Sequence, residues 1–300
     1  MHPISRLATV CLLLTLASCA SQPTIVSGEA SLGLAAVVIR TDPESCAAQL
    51  RGSRRSLDDE LDSSDIKIVN WNLQKGANPE WIADLSAITG EPDLMIFQEA
   101  SLNTDVWRTV AADQYRSFAP GYSTKQRITG VMTISDAEPL TQCNLINREP
   151  WIRTPKATMI IEYGLTGTDQ TLLVVNAHAV NFTFGIRHFR QQIQQMQSVL
   201  SEHQGPILLS GDFNTWHGRR FEILNEVAES LDLTMLEFDE DYRKRLFGHV
   251  LDHIYIRGLQ VIEATTYRVG SSDHNPMSVR LRFSEMAPVI RHATADGSNR

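Results

Sequence analysis

The sequence predicts an α/β (α+β) fold of mixed sheets with helices on the outside, and two observations carry that prediction. From Ile66 onward, short apolar runs of the fully buried strand type alternate with amphipathic helical stretches. Several of those runs also stop abruptly at polar side chains. "IKIVNWNL" (66–73) reads as the first strand, and "NPEWIADLSAI" offers Asn78 as N-cap, Pro79 as first helical residue and Trp81, Leu85 and Ile88 on one face. "DLMIFQEA" (93–100) and "TLLVVNAHAV" (171–180) are strands, and the helix that follows places Ile186, Phe189, Ile193, Met196 and Leu200 together. A strand ending in Gly-Asp-Phe-Asn comes next, then a helix through Phe221, Leu224, Val227 and Leu231. "HVLDHIYIRG", "QVIEATTYRV" and "MSVRLRF" close the domain. No fixed-period repeat occurs, which argues against a solenoid.

Three hundred residues with 42% hydrophobic and 21% charged content suffice for one sizeable core. The net charge is −8, and removing residues 1–18, whose only charged side chain is Arg6, lowers it by one to −9. So acidic a chain is no generic polyanion binder, and any affinity for nucleic acid has to be local or metal-assisted. The first residues, "MHPISRLATVCLLLTLASCASQP", have a weakly basic start, an apolar stretch too short to span a bilayer, and small residues before Cys19. Leu16-Ala17-Ser18-Cys19 resembles the bacterial lipobox, with Cys19 as the lipid-modified residue, and Ala20 resembles an outer-membrane sorting signal. The expected location is therefore the cell envelope, lipid-anchored at the outer membrane or periplasm. The expected organisation is a signal peptide at 1–18, an arm at 19–64, one domain at 65–284 and a tail at 285–300, as a monomer. Cys46 and Cys143 are then the remaining thiols, and the sequence leaves open a disulfide or two buried free cysteines.

The polar strand ends carry the chemistry. They are Asn70 and Asn72, Gln98 and Glu99, Asn176 and His178 with Asn181 beyond, and Asp212 and Asn214, joined by Asp252-His253 and by the turn Asp273-His274-Asn275. A buried carboxylate such as Asp212 needs partners, and ends of adjacent strands can converge on one pocket. Glu99 and Asp273, assisted by Asn72, are hard oxygen donors that suit Mg²⁺ or Mn²⁺ better than zinc. Such an ion polarises a phosphoryl oxygen; Asp212 would act as general base for water, and His274, oriented by Asp252, would stabilise charge at phosphorus.

The blocks "NWNLQKG", "DLMIFQEA", "VVNAHAVNF", "LLSGDFNTW", "LDHIYIRG" and "SSDHNPM", in this order over about residues 66–283, resemble the endonuclease/exonuclease/phosphatase superfamily, the group that includes deoxyribonuclease I. The resemblance implies a four-layer α-β-β-α sandwich of two mixed sheets with outer helices and an active site at one edge. It implies Asn72 and Glu99 as the metal pair, Asp273 as a further metal or orienting ligand, and Asp212 as the base. Asn214 would position water or phosphate, Asp252 and His274 would form the pair at the scissile phosphate, and His178 and Asn181 would contact phosphate oxygens. His178 and Gln74 stand where abasic-site enzymes carry tyrosine and aspartate, which argues against DNA repair.

The resemblance implies a phosphoester substrate, with nucleic acid favoured. "NREPWIRTPKAT" places Arg148, Arg153 and Lys156 around Trp151, so Arg153 and Trp151 are candidates to grip phosphate or stack on a base; the same stretch also reads as a loop entering a strand. "GRRF" (218–221) reads equally well as a basic contact or as surface solubility. The alternatives are a phospholipid or sphingomyelin headgroup, which fits a lipid anchor and asks for an exposed apolar loop near the site, and a non-catalytic scaffold on the same fold.

Overall fold

Strands that are apolar on both faces have to be covered on both, and the chain does this by stacking two sheets and closing each with helices. The computed structural model describes residues 42–51, 59–88, 90–102, 114–124, 127–183 and 185–284; Cys19, the leader and the tail lie outside these. The elements begin with α1 (Pro43–Leu50), β1 (Ile66–Asn72), α2 (Trp81–Ile88), β2 (Leu94–Ser101), β3 (Tyr115–Ser123) and β4 (Ile128–Ser135). They continue with β5 (Thr141–Arg148), β6 (Pro155–Gly164), β7 (Thr171–His178), α3 (Arg187–Leu200), β8 (Ile207–Asp212) and α4 (Gly218–Ser230). Short β9 (Thr234–Met235), β10 (Arg245–Leu246) and β11 (His249–Val250) precede β12 (Asp252–Arg257), β13 (Leu259–Thr266) and β14 (Met277–Phe283).

One six-stranded sheet runs β13-β14-β1-β2-β4-β3 and the other β5-β6-β7-β8-β12-β9. Each has a parallel pair at its centre, β1 with β2 and β7 with β8, and antiparallel neighbours outside. The period of two along a strand sorts the core. Leu172, Val174 and Leu208 join Ile66, Ile68 and Ile96 between the sheets. Leu173, Val175 and Leu209 instead meet Phe189, Ile193, Met196 and Leu224 of α3 and α4, while Val69, Trp71 and Phe97 pack on Trp81 of α2. The four-layer sandwich expected from the sequence is the observed fold.

Two local readings change. The stretch from 115 to 164, of which the sequence assigns only 147–158 as a loop entering a strand, builds β3 to β6. The segment read as an arm contains α1, with Asp42 capping its first turn through Ser45. Cys46 of α1 is bonded to Cys143 of β5, with Cα atoms 5.5 Å apart, and Gln49 Nε2 donates to the carbonyl of Gln142 beside it. The bridge closes a loop of 97 residues, so replacing both cysteines by serine is expected to cost about 2–4 kcal/mol, read as a lower midpoint of denaturant unfolding.

Candidate active site

The carboxyl ends of β1, β2, β7 and β8 come to one edge of the sandwich, and the amino end of β12 meets them because β12 runs antiparallel to β8 with Asp252 opposite Asp212. Behind that edge a buried amide cluster ties the sheets together. Gln98 Nε2 donates to the side-chain oxygens of Asn70 and Asn176, and Asn176 Nδ2 donates to the carbonyls of Phe97 and Met132. These three polar strand ends are thus structural.

The next residues out form the site. Gly211 precedes Asp212 because a Cβ there would overlap the carbonyl oxygen of Ala177 in β7; only glycine lets β8 approach this closely. Asp212 is 2% exposed. Its Oδ1 accepts from the Asn214 N–H at 3.0 Å and its Oδ2 from Asn72 Nδ2 at 3.0 Å. His178 Nε2 stands 3.5 Å and His274 Nε2 4.0 Å from that Oδ2. Burial lifts the Asp212 carboxyl above its usual range, against the pull of His274. On its far side the His274 ring is held by Asp252, with Nδ1 at 3.0 and 2.8 Å from the two carboxylate oxygens, and Trp71 Nε1 donates to the His274 carbonyl. Desolvation pulls the His274 pKa down, but the Asp252 and Asp212 charges and the hydrogen bond outweigh it and push it up to about 10. His178 goes the other way: burial, with Lys156 and His274 nearby, holds its pKa well below 6.5. Their surroundings thus bias the two rings in opposite directions, His274 toward its charged form and His178 toward its neutral one.

Glu99 is aimed by an irregularity. The β2–β4 register shifts between Phe97 and Ala100, and Glu99 adopts φ +48°, which turns its side chain toward the site. Its oxygens lie 3.3 Å from Lys75 Nζ and 4.0 Å from His178 Nε2. Lys156 Nζ is 2.7 Å from His178 Nε2. Glu99, Lys75, Lys156 and His178 line one side of a cavity of about 420 Å³.

The structure therefore brings together Asp212, Asp252, His274, His178, Asn72, Asn214 and Glu99. Asn214 sits at φ +51° with its Nδ2 donating to the Ala179 carbonyl. Asp273 stands beside His274 but is half exposed and paired with Lys244 at 3.4 Å. Asn181 is one loop away, its side-chain oxygen accepting from Trp216 Nε1. Trp151 and Arg153 are exposed on the β5–β6 turn, whose Ile152 and Thr154 line the cavity.

Two site residues escape the sequence reading, Lys75 and Glu149, and Arg220 stands there only as one charge in the basic stretch "GRRF". Lys156 appeared there only as one charge in a basic stretch. Arg220 is 1% exposed, and it donates to the carbonyls of Val180, Asn181 and Asn214 and to Thr183 Oγ1. Its guanidinium also lies over the rings of Phe189 and Trp216. Desolvation lowers its pKa to about 10 even though Glu149 and Asp212 act to raise it. The helical phase held a signal, since Arg220 shares the α4 face with Ile223, Leu224 and Val227.

For a divalent ion the donor chemistry decides. Asp212, Asp252 and His274 offer ligand atoms within 4.8 Å of one another. His274 Nδ1 in that group is already engaged by both Asp252 oxygens, which leaves its Nε2 toward Asp212. The Glu99 carboxylate opens on the cavity, paired with Lys75, and Asn72 lies on the neighbouring strand opposite Gln98; their hard oxygens fit Mg²⁺ or Mn²⁺.

Comparison with known proteins agrees with this geometry. Residues 69–274 match the model of the Endonuclease/Exonuclease/phosphatase family. The chain is 35% identical over 218 residues to a UPF0294 protein of Yersinia pseudotuberculosis, covering 72% of this chain and 84% of that one, and equally to one of Yersinia pestis. Its fold resembles the human Nocturnin catalytic domain, with TM-score 0.58, 16% identity, 75% of this chain and 96% of that one covered. It also resembles a mannosyl-6-phosphatase of Bacteroides thetaiotaomicron, with TM-score 0.54, 13% identity, 73% and 100% covered. With the matched segment running from β1 to the Asp273-His274 turn and enclosing every residue of the buried cluster, the chain belongs to the endonuclease/exonuclease/phosphatase family.

Proposed function

We propose that this protein is a divalent-metal-dependent phosphodiesterase that cleaves its substrate by direct attack of water. Members of the family hydrolyse phosphoesters. The observation that carries the finer reading is the pairing of a buried carboxylate of raised pKa, Asp212, with a cationic His274 across 4.0 Å. Opposed acid and base forms at one point are what hydrolysis at phosphorus requires.

Asp212 takes a proton from water as the water oxygen bonds to phosphorus and the bond from phosphorus to the leaving oxygen breaks. His274, kept charged and oriented by Asp252, lies beside the developing negative charge. Asn72 and the Asn214 N–H fix the Asp212 carboxylate, and Lys156 with neutral His178 faces the phosphoryl oxygens. Glu99 and Asn72, with Asp273 at the edge, would hold Mg²⁺ or Mn²⁺, which supplies charge neutralisation at a phosphoryl oxygen. The test is a panel of plasmid DNA, RNA, lipid vesicles and bis-p-nitrophenyl phosphate with either metal. Cleavage that disappears in His274→Ala supports the assignment, and cleavage that survives it removes His274 from the reaction.

The pH dependence follows from the direction of the His274 shift. Because the folded pKa is raised from 6.5 to about 10, activity is expected to fall on the alkaline side as pH passes about 10. The stabilising contribution of the charged ring is complete below 6.5 and lost as pH rises through about 10. The wild-type rate profile should show this alkaline limb, and in His274→Ala, where cleavage is lost, the matching loss of melting temperature through about pH 10 should vanish.

Anchoring at the envelope rests on the residues around Cys19. Cys19→Ser is expected to move the protein from the membrane to the soluble fraction; retention would refute the anchor. Among the described residues, no helix is long and apolar enough to cross a membrane.

A further inference from the structure

The loops around the site are apolar at their tips. Among the described residues, the large hydrophobic side chains that stand exposed are Tyr122, Trp151, Ile152, Phe182, Leu246 and Phe247 at this edge, besides Val261 and Ile262 on the edge strand β13. Tyr122, Ile152 and Phe182 line the same cavity as Lys75, Glu99, Lys156 and His178. Phe247 reaches the rim from the other side: its ring meets Trp216 at 6.3 Å, and Trp216 donates to Asn181, next to Phe182. Soluble proteins seldom expose so much contiguous apolar surface unless something covers it.

This rim is built, not incidental. Glu149 is 1% exposed, and its Oε1 accepts from the N–H groups of Asn181 and Phe182. Its own backbone closes the Trp151 turn, with the Glu149 N–H donating to Thr154 and the Arg153 N–H donating to Glu149. One buried carboxylate thus holds the Phe182 loop against the Trp151–Ile152 turn. Arg220 answers that charge from below and holds the carbonyls of Val180 and Asn181. In the β10–β11 hairpin, Phe247 at φ +50° and Gly248 at φ +84° form the two-residue turn. The first of these positions favours Asn, Asp or Gly, and here it carries a phenylalanine 80% exposed. Its ring contact with Trp216 leaves most of this strained aromatic facing solvent at the loop tip.

We propose that this rim docks on a lipid bilayer, with the catalytic edge facing the headgroups. Trp, Tyr, Phe and Ile at loop tips suit the interfacial zone of a bilayer. Arg148 and Arg153, exposed at the two ends of the Trp151 turn, suit the lipid phosphates, although the chain as a whole carries −8. Base stacking on nucleic acid would use aromatics too, but Ile152 and Leu246 have no ring to offer. Joined to the hydrolase reading, on which this clause rests, the substrate class becomes a lipid-headgroup phosphodiester.

The test reads docking without turnover. The full chain is added to vesicles of equal parts phosphatidylcholine and phosphatidylglycerol, with or without bromine on the acyl chains, and tryptophan emission is compared. Brominated vesicles are expected to quench the emission of wild type and of Asp212→Asn alike. Quenching should be lost in Trp151→Phe and regained when Phe247→Trp is added to that variant. Equal quenching in wild type and Trp151→Phe, or none in either, overturns the proposal. So does quenching by a single-stranded oligonucleotide in place of vesicles, which would assign the rim to bases. Absence of hydrolysis with the quenching intact would sink the hydrolase reading and leave the docking surface standing.

Discussion

Asp212→Asn is expected to lower turnover on a soluble phosphodiester by about 10² to 10⁴-fold, the span of a lost general base. The fold should remain intact. An asparagine occupies the same volume and keeps an acceptor oxygen, but its amide cannot take a proton from water. It also loses one of the two acceptors now used by the Asn214 N–H and Asn72 Nδ2. That loss is offset, because burial already works against the ionised Asp212 and the variant removes the charge. Melting temperature should therefore hold or rise while activity collapses, a combination that a merely structural aspartate does not give. Near-normal turnover would remove Asp212 from the role of base.

Arg220→Met should do the opposite, damaging the fold first. The side chain satisfies carbonyls on both the β7–α3 loop and the segment after β8, and it balances Glu149. Methionine fills much of the volume but leaves those acceptors unpaired and removes the positive charge that acts on buried Glu149. Breaking such a buried network costs about 3–5 kcal/mol, which for a domain of this size is a melting shift on the order of 10 °C. Arg219, one residue earlier, is exposed and pairs with the equally exposed Glu222, so Arg219→Met should stay within about 0.5 kcal/mol. A similar cost for both variants would show that burial of Arg220 is not what matters.

The contrast between these two arginines marks what the sequence could and could not show. Strand ends such as Gly-Asp-Phe-Asn were legible because an apolar run that halts at a carboxylate is locally conspicuous, and so the residues around Asp212 were named from sequence. Arg220 sits one residue away from the α4 face that the sequence pattern runs through Phe221, and a one-residue error in phase turns a buried guanidinium into a surface charge. Glu149 was invisible for another reason. Its partners, Asn181 and Phe182, are 32 and 33 residues further along the chain, and only the antiparallel pairing of β5, β6 and β7 brings them together. The Cys46–Cys143 bond likewise depends on α1 packing beside β5, which no local pattern announces. Asp273 was named as a ligand from its motif, and its pairing with exposed Lys244 is a contact that spacing does not reveal.

The most direct measurement is the rate of bis-p-nitrophenyl phosphate hydrolysis by the full chain, with Mg²⁺ or Mn²⁺ and then with a chelator, beside the Asp212→Asn variant. Hydrolysis that appears with metal, stops on chelation and is lost in the variant is the expected result. Hydrolysis that persists in the chelator or in Asp212→Asn, or its absence from a folded protein supplied with metal, would contradict a metal-dependent water attack at this site.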